Sequence, residues 1–532
     1  MPTTVLDGTR TALSKGARNQ RVAKGLLNGA VGIVAALAMI PIGYLLVRSS
    51  QKPVNEIAQL LLRPKTLEVL LTTAALVLSV VAITVVLGVA IACGLHFVRL
   101  PMRPLLIIPA VLPLAIPSYV FTYTWIALIP QFSGLLAAVF ILSVTTLPYV
   151  ILATLSGLRT VDGAQLEVAR SLGLSIPQTF SRVVFPQVKG HISAGALLAA
   201  LYSISDFGAV SLLNVETLTV TIQNMYRASY DRSAAAVISL VLIAFSTIVV
   251  LADEKVKQQT PNSDVVKVYS TKNSLINKPV LRYSVIASLA LFSIVAVVIP
   301  FYVLISRFFS NRVAIQWSEL ARTSISTIFV AAFGALIALL LSAPLGAVLS
   351  GAKTGIGRNA QRLIAIGHGL PGVVVGLALV SIGSKLGGLY QTTLLLAFAY
   401  ALLFLAKSVA SMSSSLSRVP ASVKDVAATL GMNQWMVIKK VVAPLAAPGI
   451  GLGTILVFLT AMKELPATLM LRPTGFDTLA TQIWSAASIN RFNEAAPYAL
   501  ILVLIAALPT FLISRPDKAD RIFIQESIRS EK

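Results

Sequence analysis

The chain has 532 residues, 56% of them apolar and 12% charged, with a mean hydropathy of +0.84. A fold of this size surrounded by water could not carry that composition on its surface, so the bilayer is its solvent. The formal net charge of +23 does not mark a nucleic-acid partner, because the Lys and Arg residues are not gathered into one patch with interleaved aromatics.

In chain order, residues 1–27 form a basic extension carrying Arg10, Lys15, Arg18, Arg21 and Lys24 ahead of an apolar run at 28–47. A signal peptide shares that outline. Here the basic region is too long, the run reaches spanning length and no small-x-small site precedes Arg48, so a retained first helix is expected. Eleven further apolar stretches follow, near 68–94, 105–129, 132–152, 193–214, 234–252, 281–304, 323–350, 364–382, 389–410, 449–471 and 495–514. Each approaches or exceeds the ~18 residues that a hydrocarbon core demands. They are uniformly apolar rather than alternating, which predicts helices and not a barrel. The expected fold is an all-α integral membrane protein with about 12 transmembrane helices.

The basic residues set the topology. With the N-terminus inside, the inner segments hold 30 Lys or Arg against 12 in the outer ones, Arg282 and Lys407 being taken with the inner segments they adjoin and Lys463 lying within a span. That bias predicts both termini in the cytoplasm. Cys93 is the only cysteine, so no internal disulfide is possible. His96, His191 and His368 belong to different segments, and no metal cage is expected from them.

Self-comparison exposes an internal repeat. Glu167-Val-Ala-Arg-Ser-Leu-Gly173 is followed by Pro186, and Asp425-Val-Ala-Ala-Thr-Leu-Gly431 by Pro444, every pair being 258 residues apart. The same offset relates Leu112-Pro113 to Leu370-Pro371, Leu158 to Leu416, Gly195 to Gly453 and Asp206 to Glu464, while Glu68 and Glu319 align at 251. Two homologous six-helix units follow, 28–252 and 281–514, joined by a polar cytoplasmic linker at 253–280 and ending in a cytoplasmic tail at 515–532. Six crossings per unit make the repeats parallel, an arrangement that places a pathway at their interface.

The segment between the fourth and fifth spans reads as helix, turn, helix. Asp162 with Gln165 caps the first helix, Gly173 ends it, and Ser175 with Gln178 forms a capping box with Pro177 in the first turn. The second copy repeats the plan, with Ser422 and Asp425 as the capping pair, Gly431 at the turn and Asn433 starting the next helix. Pro186 and Pro444 are expected to break regularity before the chain re-enters the membrane. Caps and helix stops alone would explain one such loop; a matched pair asks for more.

These loops resemble the cytoplasmic EAA motif of permease subunits of ATP-binding-cassette importers, with valine at the middle position in both copies. The resemblance implies the type I importer permease fold and an inner-membrane location. It implies a periplasmic substrate-binding protein and two copies of an ATP-binding subunit as partners beside membrane lipid. It also assigns Glu167, Ala169, Gly173, Pro186, Asp425, Ala427, Gly431 and Pro444 to coupling. The chain is then no enzyme and binds no cofactor, ATP being bound by the partner. No G-x-x-x-x-G-K-[ST] motif is present, and Gly351-Ala-Lys-Thr-Gly-Ile-Gly357 has the wrong spacing.

Charges inside spans are costly and therefore candidate functional groups. Asp206 and the pair Lys463-Glu464 occupy equivalent places, where they either snorkel or pair structurally, or line a path for a cation. The Asp206-Phe-Gly-Ala209 segment, the Met462-Lys-Glu-Leu-Pro-Ala-Thr-Leu-Met-Leu-Arg-Pro473 run and Phe476-Asp-Thr-Leu-Ala-Thr-Gln482 resemble the ferric iron permeases. Fused permeases for thiamine and phosphonates share the layout, and single-unit relatives carry polyamines such as putrescine, sulfate or molybdate. The rival class is a secondary transporter driven by an ion gradient, which tends to show helices broken in mid-membrane and inverted repeats.

Overall fold

The computed structural model describes residues 3–101, 103–228, 232–258, 278–310, 315–349 and 370–513, with 357, 359, 360, 363 and 364. Most of the linker at 253–280, the tail at 515–532, His368 and most of the Gly351–Gly357 segment lie outside these residues, as do the side chains of 1–24. Among the described residues the regular elements are all helices.

The first copy begins with α1 (Thr3–Ser49), α2 (Val54–Leu62) and α3 (Pro64–Phe97). It continues through α4 (Arg103–Val111), α5 (Ser118–Leu128), α6 (Gly134–Leu158), α7 (Gly163–Ser171) and α8 (Ile176–Thr179). It closes with α9 (Phe185–Ser205), α10 (Gly208–Leu212), α11 (Leu218–Ala228) and α12 (Ser233–Gln258). The second copy supplies α13 (Pro279–Ser293), α14 (Ile299–Phe308), α15 (Trp317–Leu349), α16 (Gly372–Gly383), α17 (Thr393–Ser417) and α18 (Ala421–Thr429). It ends in α19 (Gln434–Val437), α20 (Ala443–Met462), α21 (Pro466–Leu471), α22 (Leu479–Ser488) and α23 (Phe492–Ile513).

Among the described residues, eight helices are long and apolar enough to cross a membrane. The other expected spans are α9 with α10, α16, α23, and a pair that is not one straight helix: Leu106–Ala115 and Ser118–Leu128 meet at 95°. The stretch at 105–129, expected as a single span, is therefore broken, and proline is the reason. Ile116 precedes Pro117 and is forced into extended backbone, φ −88° and ψ 118°, where a helix cannot continue.

Prolines elsewhere disturb the regularity of the helix, as expected, without ending it. Pro186 and Pro444 do not interrupt the chain's helical path; each sits at the second position of its helix, directly after a π-helical turn at Phe180–Val184 or Ile438–Val442. The wider turn carries Phe185 N–H back to the carbonyl of Phe180 and Ala443 N–H back to that of Ile438. A proline has no N–H to give and its ring collides with the carbonyl four residues back, and one inserted residue relieves both faults. The same device recurs at Ile294–Val298 before Pro300.

Two compact units emerge, and their bounds are not those of the sequence copies. One comprises Met1–Val47, Ile328–Leu370 and Val374–Thr474; the other comprises Arg48–Thr327, Pro371–Val373 and Gly475–Lys532. In the former, Val31, Val34, Ala35 and Ala38 of α1 bury against Leu345, Val348, Leu405 and Val409 of the second copy. In the latter, Gly94 of α3 lies against Val285 of α13, and Arg307 of α14 donates to the Ala127 carbonyl at 2.8 Å. Each copy's leading helix is thus packed with the other copy's core. Helices α22 and α23 do the same: Trp484 Nε1 donates to Ser211 Oγ at 3.2 Å, and Tyr123 Oη to the Phe492 carbonyl at 2.9 Å.

The repeat is legible in individual hydrogen bonds. Leu218 N–H donates to Thr73 Oγ1 at 3.1 Å, and Leu479 N–H to Thr327 Oγ1 at 2.8 Å. Thr73 and Thr327 are 254 residues apart, so this register, not the 251 of Glu68 and Glu319, relates α3 to α15.

Candidate functional site

The two loops fold alike because their sequences cap alike. Asp162 accepts the Ala164 N–H at 3.0 Å and starts α7, while Gln165, expected to close a box with it, instead accepts from Gln187 at 3.1 Å. The Ser175–Gln178 capping box is present, with Ser175 N–H donating to Gln178 Oε1 at 3.0 Å. In the second copy the expected Ser422–Asp425 pair does not cap, because α18 already begins at Ala421 after Pro420, which leaves Ser422 inside the helix. Asn433 does cap, its side chain accepting the Met436 N–H at 2.8 Å.

Both first helices end in the same left-handed residue. Gly173 has φ +75° and Gly431 φ +79°. The chain reverses through matching bonds, Leu174 N–H to the Ala169 carbonyl at 3.1 Å and Met432 N–H to the Ala427 carbonyl at 3.2 Å. This 6→1 closure is the Schellman arrangement, in which a glycine meets no side-chain penalty.

The structure separates the motif residues into two groups. Ala169 and Ala427 are 3% and 5% exposed, so they face inward and seat the helix. Glu167 and Asp425 are exposed. Beside them stand apolar residues that the motif reading passed over: Val168 and Val426 are 57% and 58% exposed, Leu172 and Leu430 74% and 73%. Residues four apart share a helix face, so each loop presents a valine–leucine pair outward. The available signal was their recurrence in both copies, one residue after the acid and one before the glycine.

The intramembrane acids share one equivalent partner, the N–H of Ala209 or Ala467, as well as equivalent positions. After α9 ends, Asp206 turns extended, and its carboxylate accepts the N–H groups of Ala209 at 2.9 Å and Val210 at 3.3 Å together with the Ser118 hydroxyl. Its carbonyl accepts the Thr219 hydroxyl at 2.7 Å. Glu464 accepts the Ala467 N–H at 3.0 Å, and its carbonyl the Thr468 hydroxyl at 2.8 Å. Both acids are buried, and each caps the short helix that follows a broken span. Ser118 corresponds to Gly376, which instead packs close to the backbone of Ala467. Lys463, the residue before Glu464, terminates α20.

Among the described residues no three His, Cys, Asp or Glu side chains are placed to share a metal ion. Lys407, within the stretch expected at 389–410 though counted with the inner segment, is inside α17, fourteen residues from its start. The distinguishing signal was its position between two apolar runs of one helix, Thr393–Ala406 and Ser408–Ala410.

The sequence has relatives throughout. The family model described as binding-protein-dependent transport system inner membrane component matches residues 84–259 and again 342–515. An Fe(3+)-transport system permease protein of Haemophilus influenzae is 30% identical over 482 residues, covering 90% of this chain and 95% of that protein. Shorter matches reach a putative 2-aminoethylphosphonate transport permease of Salmonella typhimurium, 30% identical over 27% of this chain and 56% of that one. A molybdenum transport permease of Mycobacterium bovis is 31% identical over 34% of this chain and 72% of its own. With two matches that bracket two capped loops of the same build, the chain belongs to the binding-protein-dependent inner-membrane transport components, as a permease of an ATP-binding-cassette importer with both copies in one polypeptide.

Proposed function

We propose that the chain is the translocation subunit of an importer driven by ATP hydrolysis on a separate subunit, and that its cargo is ferric iron handed over by a periplasmic binding protein. The observation that carries the energetic part is the pair of outward valine–leucine faces, Val168 with Leu172 and Val426 with Leu430. Exposed apolar side chains on a polar loop mark a surface that a partner covers, and two such loops call for two copies of an ATP-binding subunit. In this reading Glu167 and Asp425 make polar contacts at the rim, Ala169 and Ala427 hold the helix against its own span, and Gly173 and Gly431 fix the turn. Pro186 and Pro444, with the π turns before them, connect the moving loop to a membrane helix. The loops and both termini are cytoplasmic, in the inner membrane.

The near full-length match to an Fe(3+)-transport permease supports iron, and the shorter matches to aminophosphonate and molybdenum permeases support an oxyanion as the second reading. The test has two parts. Purification in mild detergent should bring down an ATPase dimer, and vesicles holding the complex with its binding protein should take up labelled ferric iron when ATP is inside the compartment facing the loops. Uptake driven by an ion gradient without ATP sinks the energetic reading; ATP-driven uptake of an aminophosphonate, molybdate, thiamine or a polyamine in place of iron sinks the cargo.

A further inference from the structure

The end of α3 and the start of α13 come from two stretches of sequence, one between Glu68 and Asp162 and one between Asp264 and Glu319, that contain no acid. The two helices meet where Gly94 lies under Val285, so closely that a β-carbon on Gly94 would stand 2.6 Å from Val285 Cγ2. Past that crossing α3 runs one further turn to Val98 and Arg99. In α13 Arg282 precedes the crossing by three residues, with Lys278 just ahead of the helix. As the second and seventh spans the helices run in opposite directions, so both turns lie on the same side of the crossing. Helix α13 also packs against α4, which follows Arg99 in the chain, and this brings its start to the same end.

Three cations therefore stand at this end without an internal counter-charge. Arg99 and Lys278 are exposed and Arg282 is half-buried, and among the described residues no carboxylate pairs with any of them. Arg282 shares one stripe of α13 with Val285 and Leu289, which are 7% and 2% exposed, so its side chain starts on the packed face. Snorkelling would hold the whole guanidinium in water. Instead its Nε is buried and makes no hydrogen bond, and a buried donor left unpaired is costly. The opposite face of the same turn is apolar and open, with Val280 and Tyr283 83% and 68% exposed. A tyrosine at the end of a span belongs to the level where headgroups meet hydrocarbon, so lipid surrounds this turn.

We propose that this end of the α3–α13 crossing is a site for an anionic phospholipid, whose headgroup phosphate is held by Arg282 and Arg99 with Lys278 beside them. A phosphate supplies the acceptors that a guanidinium lacks and bonds to it with charge assistance. Basic pockets between spans on the cytoplasmic side are where such headgroups bind, and the importer reading above places this end on that side. A lipid seated there ties the leading helix of the second copy to the core of the first.

The test is native mass spectrometry of the full chain in mild detergent, titrated with cardiolipin or with phosphatidylcholine. Cardiolipin should bind about tenfold or more tighter than phosphatidylcholine, and Arg99→Gln with Arg282→Gln should remove most of that difference, while Arg282→Lys keeps the charge and loses less. Equal binding of the two lipids by the wild type overturns the proposal, and so does cardiolipin binding that the double variant leaves unchanged. If inorganic phosphate raises the melting temperature of the wild type as much as cardiolipin does, the site takes a free anion and the lipid assignment falls. Should the double variant not fold, amide exchange of the wild type is followed in phosphatidylcholine nanodiscs with and without cardiolipin. Slower exchange with cardiolipin at residues 98–101 and 278–283 supports the site, and unchanged exchange there overturns it. None of these readouts needs ATP or a binding protein, so a failure of the importer reading, seen as no co-purifying ATPase, is told apart from a failure here.

Discussion

Gly173 and Gly431, 258 residues apart, hold the same left-handed backbone at the end of equivalent helices, with φ of +75° and +79°. A β-carbon at either would meet no atom within 4 Å, so the need for glycine is conformational and not a matter of space. Valine at either position should cost about 1–2 kcal/mol of local stability, because a left-handed β-branched residue collides with its own carbonyl. Asparagine, which tolerates that region, should cost less. The expected result is that G173V or G431V lowers ATP-driven uptake strongly with normal membrane abundance, and that G173N retains most of it. Uptake rates normalised to immunoblotted protein give the comparison.

The exposed leucines permit a test with little risk to the fold. Leu172→Asp and Leu430→Asp change side chains that are mostly in contact with solvent, so each single variant should insert normally and lose most of the co-purifying ATP-binding subunit, and the double variant should lose it completely. Retention of the full complement of that subunit by the double variant would show that these faces are not the docking surface.

Asp206 and Glu464 are spent on helix caps, which predicts what their amides will do. Asp206→Asn and Glu464→Gln keep an acceptor for the N–H groups of Ala209 and Ala467 and should leave the melting temperature in detergent nearly unchanged. Asp206→Ala removes the cap and should destabilise by about 1–2 kcal/mol. If the amide variants melt normally yet lose transport, the carboxylate charge itself is being used by the cargo.

Gly195 and Gly453 stand at equivalent helix crossings but are crowded by different atoms. A β-carbon at Gly195 would lie 2.8 Å from the Cα of Val150, a backbone atom that cannot step aside, whereas at Gly453 it would meet the side chain of Ser411. Gly195→Ala and Gly453→Ala should both reduce the amount of folded protein, and Ser411→Gly, which removes both the Cβ and the Oγ that the new methyl group would strike, should rescue only the latter. Fluorescence-detected gel filtration of tagged variants measures both.

Much of this was legible in the sequence because membrane helices and repeats leave long-range signals. Runs such as 68–94 and 132–152 could be nothing but spans, and the constant spacing from Leu112-Pro113 to Asp206 fixed two equivalent units before any coordinates. What escaped depends on contacts and on depth. Pro117 breaks a run whose hydropathy is unbroken, and hydropathy carries no record of a 95° turn. Serine at 422 followed by an acid at 425 looks like a capping box, yet Pro420 starts the helix sooner and removes the need for it. Lys407 stands three residues before the end of the stretch expected at 389–410 and was counted with the inner segment, yet the helix continues ten residues past it. The outward turn of Val168 and Leu172, and the inward turn of Ala169, required the helix to be seated first.

Joining the two copies covalently has an effect on what selection can do to them. In a permease assembled from two identical chains, a substitution at the Tyr149 or Ser205 position, 258 residues before Lys407 and Lys463, would be imposed on both halves at once. The pair of lysines at 407 and 463 would then become four intramembrane cations, each costing about 2.5–3.5 kcal/mol at the centre of a span. A single polypeptide escapes that doubling: one half can be kept neutral, with Tyr149 and Ser205, while the other is specialised for charge. Gene fusion here is a licence for asymmetry.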